Sequence, residues 1–365
     1  MQNFGLFLIG LLALVAGAEL LVRGAGKLAL SAGISPLVVG LTVVSIGTSA
    51  PEMAVAIGAA LDGRPDLAIG NVVGSNIFNV LFILGISALI VPLVVHSQVI
   101  RQEVPVMIGA SLLLLALALD GSLSRTDGLL LVLLVMAYTG FLVIQSRREA
   151  QSEPAELATE PTASRWDRHW TVQLLLILAG LGLLIVGSGW LVEAAVSVAQ
   201  TLGVSDLVIG LTIVAAGTSM PEVATSIMAA LRGQRDIAIG NVVGSNIFNI
   251  LGCLGATAVL APAGVPVAAS VLNFDLWVML AVALACLPVM LSGRAIARWE
   301  GAVFLGYYVA YTAYLILRTQ DHAALPAFSG AMLGFVLPLT IVTLVVSVLK
   351  RPGKASDGGA GPTAH

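Results

Sequence analysis

Charge is scarce in this chain. Only 10% of its 365 residues are Asp, Glu, Lys or Arg, whereas 58% are hydrophobic and the mean hydropathy is +1.01. A water-soluble domain needs far more polar surface, so a soluble globular fold is excluded. Cysteine is nearly absent: Cys253 and Cys286 both fall in apolar runs, which rules out a disulfide framework and a thiolate metal cluster. The four histidines, His96, His169, His322 and His365, lie in loops or tails, so a buried imidazole relay or histidine metal site is not expected. No glycine-rich phosphate loop is present, which argues against nucleotide binding and ATP-driven pumping. The net charge of −3 carries no nucleic-acid signature.

What the chain has in abundance is apolar runs. A helix crossing a bilayer needs about 20 mostly apolar residues, and eleven such spans are predicted near 5–23, 36–61, 67–92, 104–120, 128–146, 171–192, 207–231, 237–262, 273–292, 298–318 and 328–349. Leu6–Val22 has no basic segment before it and no cleavage site after it, so it reads as a first span rather than a removed signal. With the N-terminus outside, fourteen of the seventeen Lys and Arg residues fall on one side; only Arg64, Arg125 and Arg318 fall on the other. Cytoplasmic loops collect basic residues, so the C-terminus is expected inside.

The expected organisation is a first unit of five spans over 1–146, a cytoplasmic linker over 147–170 and a second unit of five spans over 171–318. An additional helix over 319–350 and a disordered tail over 351–365 complete it.

The chain also repeats itself. Leu37–Gly85 aligned with Leu207–Gly255, at a constant offset of 170, gives 33 identities in 49 positions without a gap. Equivalent points are five spans apart, an odd number, so the second copy enters the membrane from the opposite side. Inverted repeats with interrupted helices are the signature of alternating-access transporters.

Each copy places polar groups where lipid-compatible residues would be expected. The first cluster is GTSAPE from Gly47, matched by GTSMPE from Gly217; the second is GNVVGSNIFN, from Gly70 and again from Gly240. Thr48 and Glu52 are four residues apart, as are Ser75 and Asn79, so each pair shares a helix face. Pro51 and Pro221 lack an N–H and are expected to loosen carbonyls near Ser45 and Ile46, and near Ala215 and Ala216.

Two carboxylates, several hydroxyls, amide oxygens and backbone carbonyls make an all-oxygen ligand set without sulfur or imidazole. Such a set suits hard cations like Ca2+ and Na+. A carboxylate at the bilayer centre costs about 2.5–3.5 kcal/mol on insertion scales, so a pair of them calls for a bound counterion. Ser31, Ser87 and Ser226 read as packing hydroxyls. Asn71 and Asn241 suit capping, gate support or ligation equally. Glu19 and Glu193 read as cavity-edge or interfacial groups, and Asp62, Asp66, Asp236 and Asp275 as solvated span ends.

At these motifs the sequence resembles the sodium/calcium exchanger family of the cation/Ca2+ antiporter superfamily, in its prokaryotic form. The resemblance implies an all-α polytopic membrane protein of two inverted repeats of five helices, with four central ion sites and no cofactor beyond the transported ions. It implies that Glu52, Glu222, Thr48 and Thr218 hold Ca2+. One flanking Na+ site would comprise Ser49, Ser75, Glu52 and the Ser45 carbonyl. The other would comprise Ser219, Ser245, Glu222 and the Ala215 carbonyl, and Asn79 and Asn249 would line the middle. Asn rather than Asp at 79 and 249 argues against K+ co-transport.

Three functions are compatible with the sequence. The first is a Na+-driven Ca2+ antiporter of a plasma (inner) membrane, with the bilayer and the two ions as its partners. The second is an H+-coupled Ca2+ antiporter, whose branch resembles a GNxxE pattern where this chain has Gly74 and Gly244. The third is a channel, which inverted repeats closing on a charged ligand pair disfavour.

Overall fold

The computed structural model describes residues 2–152, 169–201 and 215–349. The runs predicted as spans fold as helices, since a backbone in lipid must satisfy its own hydrogen bonds. In chain order these are α1 (Gln2–Ala32), α2 (Pro36–Thr48), α3 (Ala50–Leu61), α4 (Pro65–Ile90), α5 (Val99–Asp120), α6 (Arg125–Ser152) and α7 (Trp170–Thr201). The second half continues with α8 (Ala215–Thr218), α9 (Met220–Leu231), α10 (Arg235–Leu260), α11 (Val271–Leu291), α12 (Arg298–Thr319) and α13 (Leu325–Val346).

Among the described residues, nine helices are long and apolar enough to span, and α2 and α3 form a tenth span bent by 43°. The predicted seventh span is represented by α8 and α9; its first part, 207–214, lies outside the described residues. Most of the predicted linker and the whole predicted tail also lie outside them. The linker's first six residues, 147–152, continue α6. Likewise α1 runs on to Ala32, so Arg23 and Lys27 extend from the helix rather than from a loop.

Burial follows the repeat. Helices α4 and α10, which carry the GNVVGSNIFN motifs, are the most enclosed of the described spans, whereas few side chains of α6 and α12 and none of the apolar stretch of α13 are fully buried. Helices α1 and α7 cross antiparallel at very close range. A Cβ added at Gly17 would sit 2.8 Å from the Gly180 carbonyl, and one added at Gly180 would sit 2.6 Å from the Leu21 nitrogen. Small residues at such crossings let backbones touch where lipid provides no hydrophobic drive.

The ends of the two repeats are tied by short antiparallel ribbons. β1 (Leu93–Val94) pairs with β4 (Ala295–Ile296), and β2 (Ser122–Leu123) with β3 (Val265–Pro266). Each pairing joins a loop of one repeat to a loop of the other, and requires the two loops to share a membrane face. The loop following α4 meets the loop following α11, and the loop following α5 meets the loop following α10, as five inverted spans per repeat demand. Outside this core, α13 docks on α12 through Tyr307, whose hydroxyl bonds Thr340 and the Val336 carbonyl.

Candidate ion-binding site

The helix breaks come first, because they aim the side chains. Between α2 and α3, Ser49 adopts φ −82°, ψ 7°, and between α8 and α9 its equivalent Ser219 adopts φ −88°, ψ 9°. Pro51 and Pro221 sit in the first turn of the following helices, where a missing N–H costs nothing. Glu52 and Glu222 occupy the same first turns, at helix N-termini that favour negative charge. In α4 and α10, a π-helical turn begins at Asn79 (Asn79–Leu84) and at Asn249 (Asn249–Leu254). Such turns insert one residue into the helical ladder and are frequent at functional sites.

These elements converge on one buried polar cluster. Ser49, Glu52, Ser75, Ser219, Glu222, Ser245 and Asn249 are each 0% exposed. Six of the hydrogen bonds within it run from one repeat to the other, in three reciprocal pairs. Ser49 donates to Glu222 Oε1 at 3.1 Å, and Ser219 donates to Glu52 Oε1 at 2.7 Å. Thr48 donates to Asn241 Oδ1 at 3.1 Å, and Thr218 to Asn71 Oδ1 at 3.3 Å. Asn79 Nδ2 donates to Asn246 Oδ1 at 3.0 Å, and Asn249 Nδ2 to Asn76 Oδ1 at 3.4 Å. The Ser75 hydroxyl oxygen lies 3.1 Å from that of Ser219.

After these bonds are made, a set of oxygens is left over. Glu52 Oε2, Glu222 Oε2, Asn79 Oδ1 and Ser245 Oγ are all buried and have no hydrogen-bond partner. An orphaned buried polar atom costs about 1–3 kcal/mol, and more if charged. Among the described buried residues there is no Lys, Arg or His to balance the two carboxylates. Nor do the described residues gather three or more His, Cys, Asp or Glu side chains into a metal-holding group. The free ligands are therefore two carboxylates plus neutral oxygens, and a hard cation is the species that would complete them.

The model of the family described as "Sodium/calcium exchanger protein" matches residues 2–146 and 172–317, most of each repeat. The chain belongs to the sodium/calcium exchanger family. It is 41% identical over 315 residues to the putative antiporter CaxA of Alkalimonas amylolytica, covering 86% of this chain and 98% of that one. It is 33% identical over 345 residues to the sodium/calcium exchanger MaX1 of Methanosarcina acetivorans, covering 86% and 98%. Among solved structures it superposes on the sodium–calcium exchanger NCX_Mj, soaked with Na+ and Sr2+, with a TM-score of 0.73 and 31% identity, covering 85% of this chain and 97% of that one. The protein is thus an antiporter of the sodium/calcium exchanger family, with that family's multi-pass helical fold.

In this exchanger hydrogen bonds join the motif side chains Thr48, Ser49 and Glu222 through Asn241, and Glu52, Ser75, Thr218 and Ser219 through Asn71. Cys253 links Asn249 to the Ser49 carbonyl, Asn79 pairs with Asn246, and Ser245 is buried without a hydrogen-bond partner. Ser45 is placed differently from the expectation. Its carbonyl is not released by Pro51 but accepts the Ser49 N–H at 3.0 Å and faces the Thr48 hydroxyl at 3.4 Å, while its hydroxyl caps the Leu41 carbonyl at 2.7 Å. The discontinuity lies later, at Ser49, because it is the Gly47 carbonyl that a proline at 51 deprives of its i+4 donor. Ala215 opens α8.

Asn71 and Asn241 act as braces: each accepts the threonine of the other repeat and donates to the backbone carbonyl of Glu52 or Glu222, at 3.3 and 3.4 Å. Ser226, expected to be packing, takes a further bond from Asn241 at 2.9 Å. Glu19 pairs with Arg232 at 2.5 Å and Glu193 is exposed, so neither reaches the cluster. Asp275 is not a solvated span end; it accepts the Tyr311 hydroxyl at 2.8 Å and is partly buried.

Several groups had no motif to reveal them. Glu103 is buried, accepts the Tyr138 hydroxyl, and takes bonds from Gln98 and Gln102 at 2.9 and 2.8 Å. Outside the all-oxygen ligand set, sulfur forms an outer layer: Met107 Sδ and Met279 Sδ accept from Asn246 and Asn76 at 3.4 and 3.6 Å. Cys253 Sγ lies 3.6 Å from Asn249 Oδ1.

Proposed function

We propose that this antiporter exchanges Na+ for Ca2+ by alternating access, electrogenically and without K+. The observation that carries the reading is the set of orphaned oxygens. Two carboxylate oxygens without a buried basic partner call for positive charge, and the free Ser245 and Asn79 oxygens call for a cation that takes neutral ligands. A proton needs only a carboxylate; organised hydroxyl and amide oxygens are redundant to a proton exchanger and useful to dehydrated Na+.

In this assignment Glu52, Glu222, Thr48 and Thr218 hold Ca2+. Ser49 and Ser75 flank it on one side, with the carbonyl of Ser45 contributing only the lone pair that the Ser49 N–H leaves free; Ser219 and Ser245, with the carbonyl of Ala215, flank it on the other. Asn79 and Asn249 face the centre. The reciprocal bonds between repeats supply the two-state element: opening to either face must exchange one set of partners for its symmetry equivalent. The proton-coupled alternative would place carboxylates where Gly74 and Gly244 stand. At Gly244 a methyl group would lie 2.7 Å from the Leu41 carbonyl oxygen, whereas at Gly74 it would meet nothing within 4 Å, so crowding bars a carboxylate only at the second position.

Two carboxylates neutralise one Ca2+ but no more than two Na+, so counter-transport of three Na+ moves net charge. Each charge carried through 100 mV is worth about 2.3 kcal/mol. The skew of fourteen basic residues to three supports an N-terminus outside and a C-terminus in the cytoplasm of a prokaryotic inner membrane, with Ca2+ export driven by inward Na+. Vesicles of purified protein loaded with Na+ and diluted into Na+-free buffer should take up radioactive Ca2+. Choline inside should abolish uptake, and a protonophore should leave it intact. Uptake that ignores internal Na+ and follows an imposed pH gradient would replace this reading with the proton-coupled one.

A further inference from the structure

We propose that Met107 and Met279 are positioning residues of the ion site, whose thioethers orient a relay of asparagine amides so that oxygen, not N–H, faces the cations. The proposal rests on the ion-site reading above. On one side the relay runs from Met107 Sδ, which accepts Asn246 Nδ2 at 3.4 Å, to Asn246 Oδ1, which accepts Asn79 Nδ2 at 3.0 Å. It ends at Asn79 Oδ1, which is buried and has no partner. On the other side Met279 Sδ accepts Asn76 Nδ2 at 3.6 Å, and Asn76 Oδ1 accepts Asn249 Nδ2 at 3.4 Å. There the terminal oxygen, Asn249 Oδ1, meets only the weak Cys253 thiol donor at 3.6 Å.

The direction of each relay follows from the chemistry of its anchor. A thioether has no proton to donate, so it can satisfy only the NH2 end of the neighbouring amide. Once Asn246 presents its oxygen inward, Asn79 must answer with its NH2 and turn its own oxygen to the site. Reversing one amide would set NH2 against NH2 and leave a donor pointing at a cation. Exposure of Met107, Asn76, Asn246 and Met279 is 1%, 2%, 3% and 3%, so water does not compete for these bonds. Both anchors stand at equivalent places on α5 and α11, and the arrangement is reciprocal between repeats. Leucine fills nearly the same volume but accepts nothing, and hydrophobic swaps of this kind are well tolerated.

The test reads ion-dependent thermal stabilisation of the purified full-length protein in detergent, titrated with Ca2+ alone and with Na+ alone. M107L and M279L should each still fold, unfolding a few degrees below wild type without ions because a buried amide N–H loses its acceptor, and should need about three- to tenfold more Ca2+ or Na+ for half-maximal stabilisation. M107Q, which restores an acceptor oxygen at similar reach, should recover most of that affinity. In an N246A background, M107L should add nothing. Wild-type ion dependence in both leucine variants would overturn the proposal alone, as would an M107L effect that persists in N246A. A wild-type protein that neither ion stabilises would overturn the ion-site reading and the relay with it.

Discussion

Replacing Glu222 by Gln isolates the electrostatic part of the site. Glu222 is fully buried; one carboxylate oxygen is held by Ser49 at 3.1 Å and the other has no partner. Glutamine keeps the shape and one carbonyl oxygen but removes the charge. Breaking a buried charge pair by removing one partner costs about 3–5 kcal/mol, which corresponds to a fall in Ca2+ affinity of about 10²- to 4 × 10³-fold. The ion-free protein should respond in the opposite sense, since neutralising an intramembrane carboxylate removes an insertion cost of about 2.5–3.5 kcal/mol. E222Q should therefore insert and unfold at or above the wild-type temperature without ions, lose its stabilisation by Ca2+, and show no Na+-driven Ca2+ uptake in vesicles. Glu52→Gln should behave alike, given the reciprocal geometry. A purified E222Q protein with Ca2+ affinity within threefold of wild type would refute the reasoning.

Changing Asn249 to Asp would add a third carboxylate beside the two present. Transport by N249D should become dependent on pH or on an added monovalent cation, and wild-type pH and K+ profiles measured in vesicles would place this side chain outside the ion cluster. Gly180→Val should force α1 and α7 apart, because its Cβ would sit 2.6 Å from the Leu21 nitrogen, and overpacking of this kind costs about 1–3 kcal/mol or more. The thermal midpoint should fall for G180V and not for Gly182→Ala, where an added Cβ meets nothing within 4 Å. Arg232→Ala breaks the ion pair with Glu19, whose side chains are 57% and 29% exposed; it should change stability by about 1 kcal/mol or less and leave Ca2+ uptake unaffected.

The architecture was legible because lipid leaves the backbone little choice and because 33 identities in 49 positions expose the repeat directly. The carboxylates and hydroxyls were legible for a related reason: such groups inside an apolar run need a partner, and the motif set them at helical spacing. The register of the break was not. Pro51 marks that α2 and α3 part company, but only the backbone at Ser49 shows which carbonyls keep their donors, and the Ser45 carbonyl is one that does. Met107 and Met279 were invisible, because an apolar residue in an apolar helix carries no signal. Their offset of 172 also falls outside the register of 170 that links the motifs. Glu103 and Tyr138 were missed for another reason: their pairing joins α5 to α6 across the fold, and no local pattern encodes it.

The most direct test of the central claim is to locate the divalent ion. Crystals of the protein soaked with Sr2+ in place of Ca2+ at low Na+ should show one anomalous peak between Glu52 Oε2 and Glu222 Oε2, slightly farther from its ligands than the about 2.3–2.6 Å of Ca2+ sites because Sr2+ is the larger ion. Raising Na+ should remove that peak while the fold stays unchanged. Sr2+ bound elsewhere, or a peak between the glutamates that Na+ does not displace, would contradict a shared cage that carries the two cations in turn.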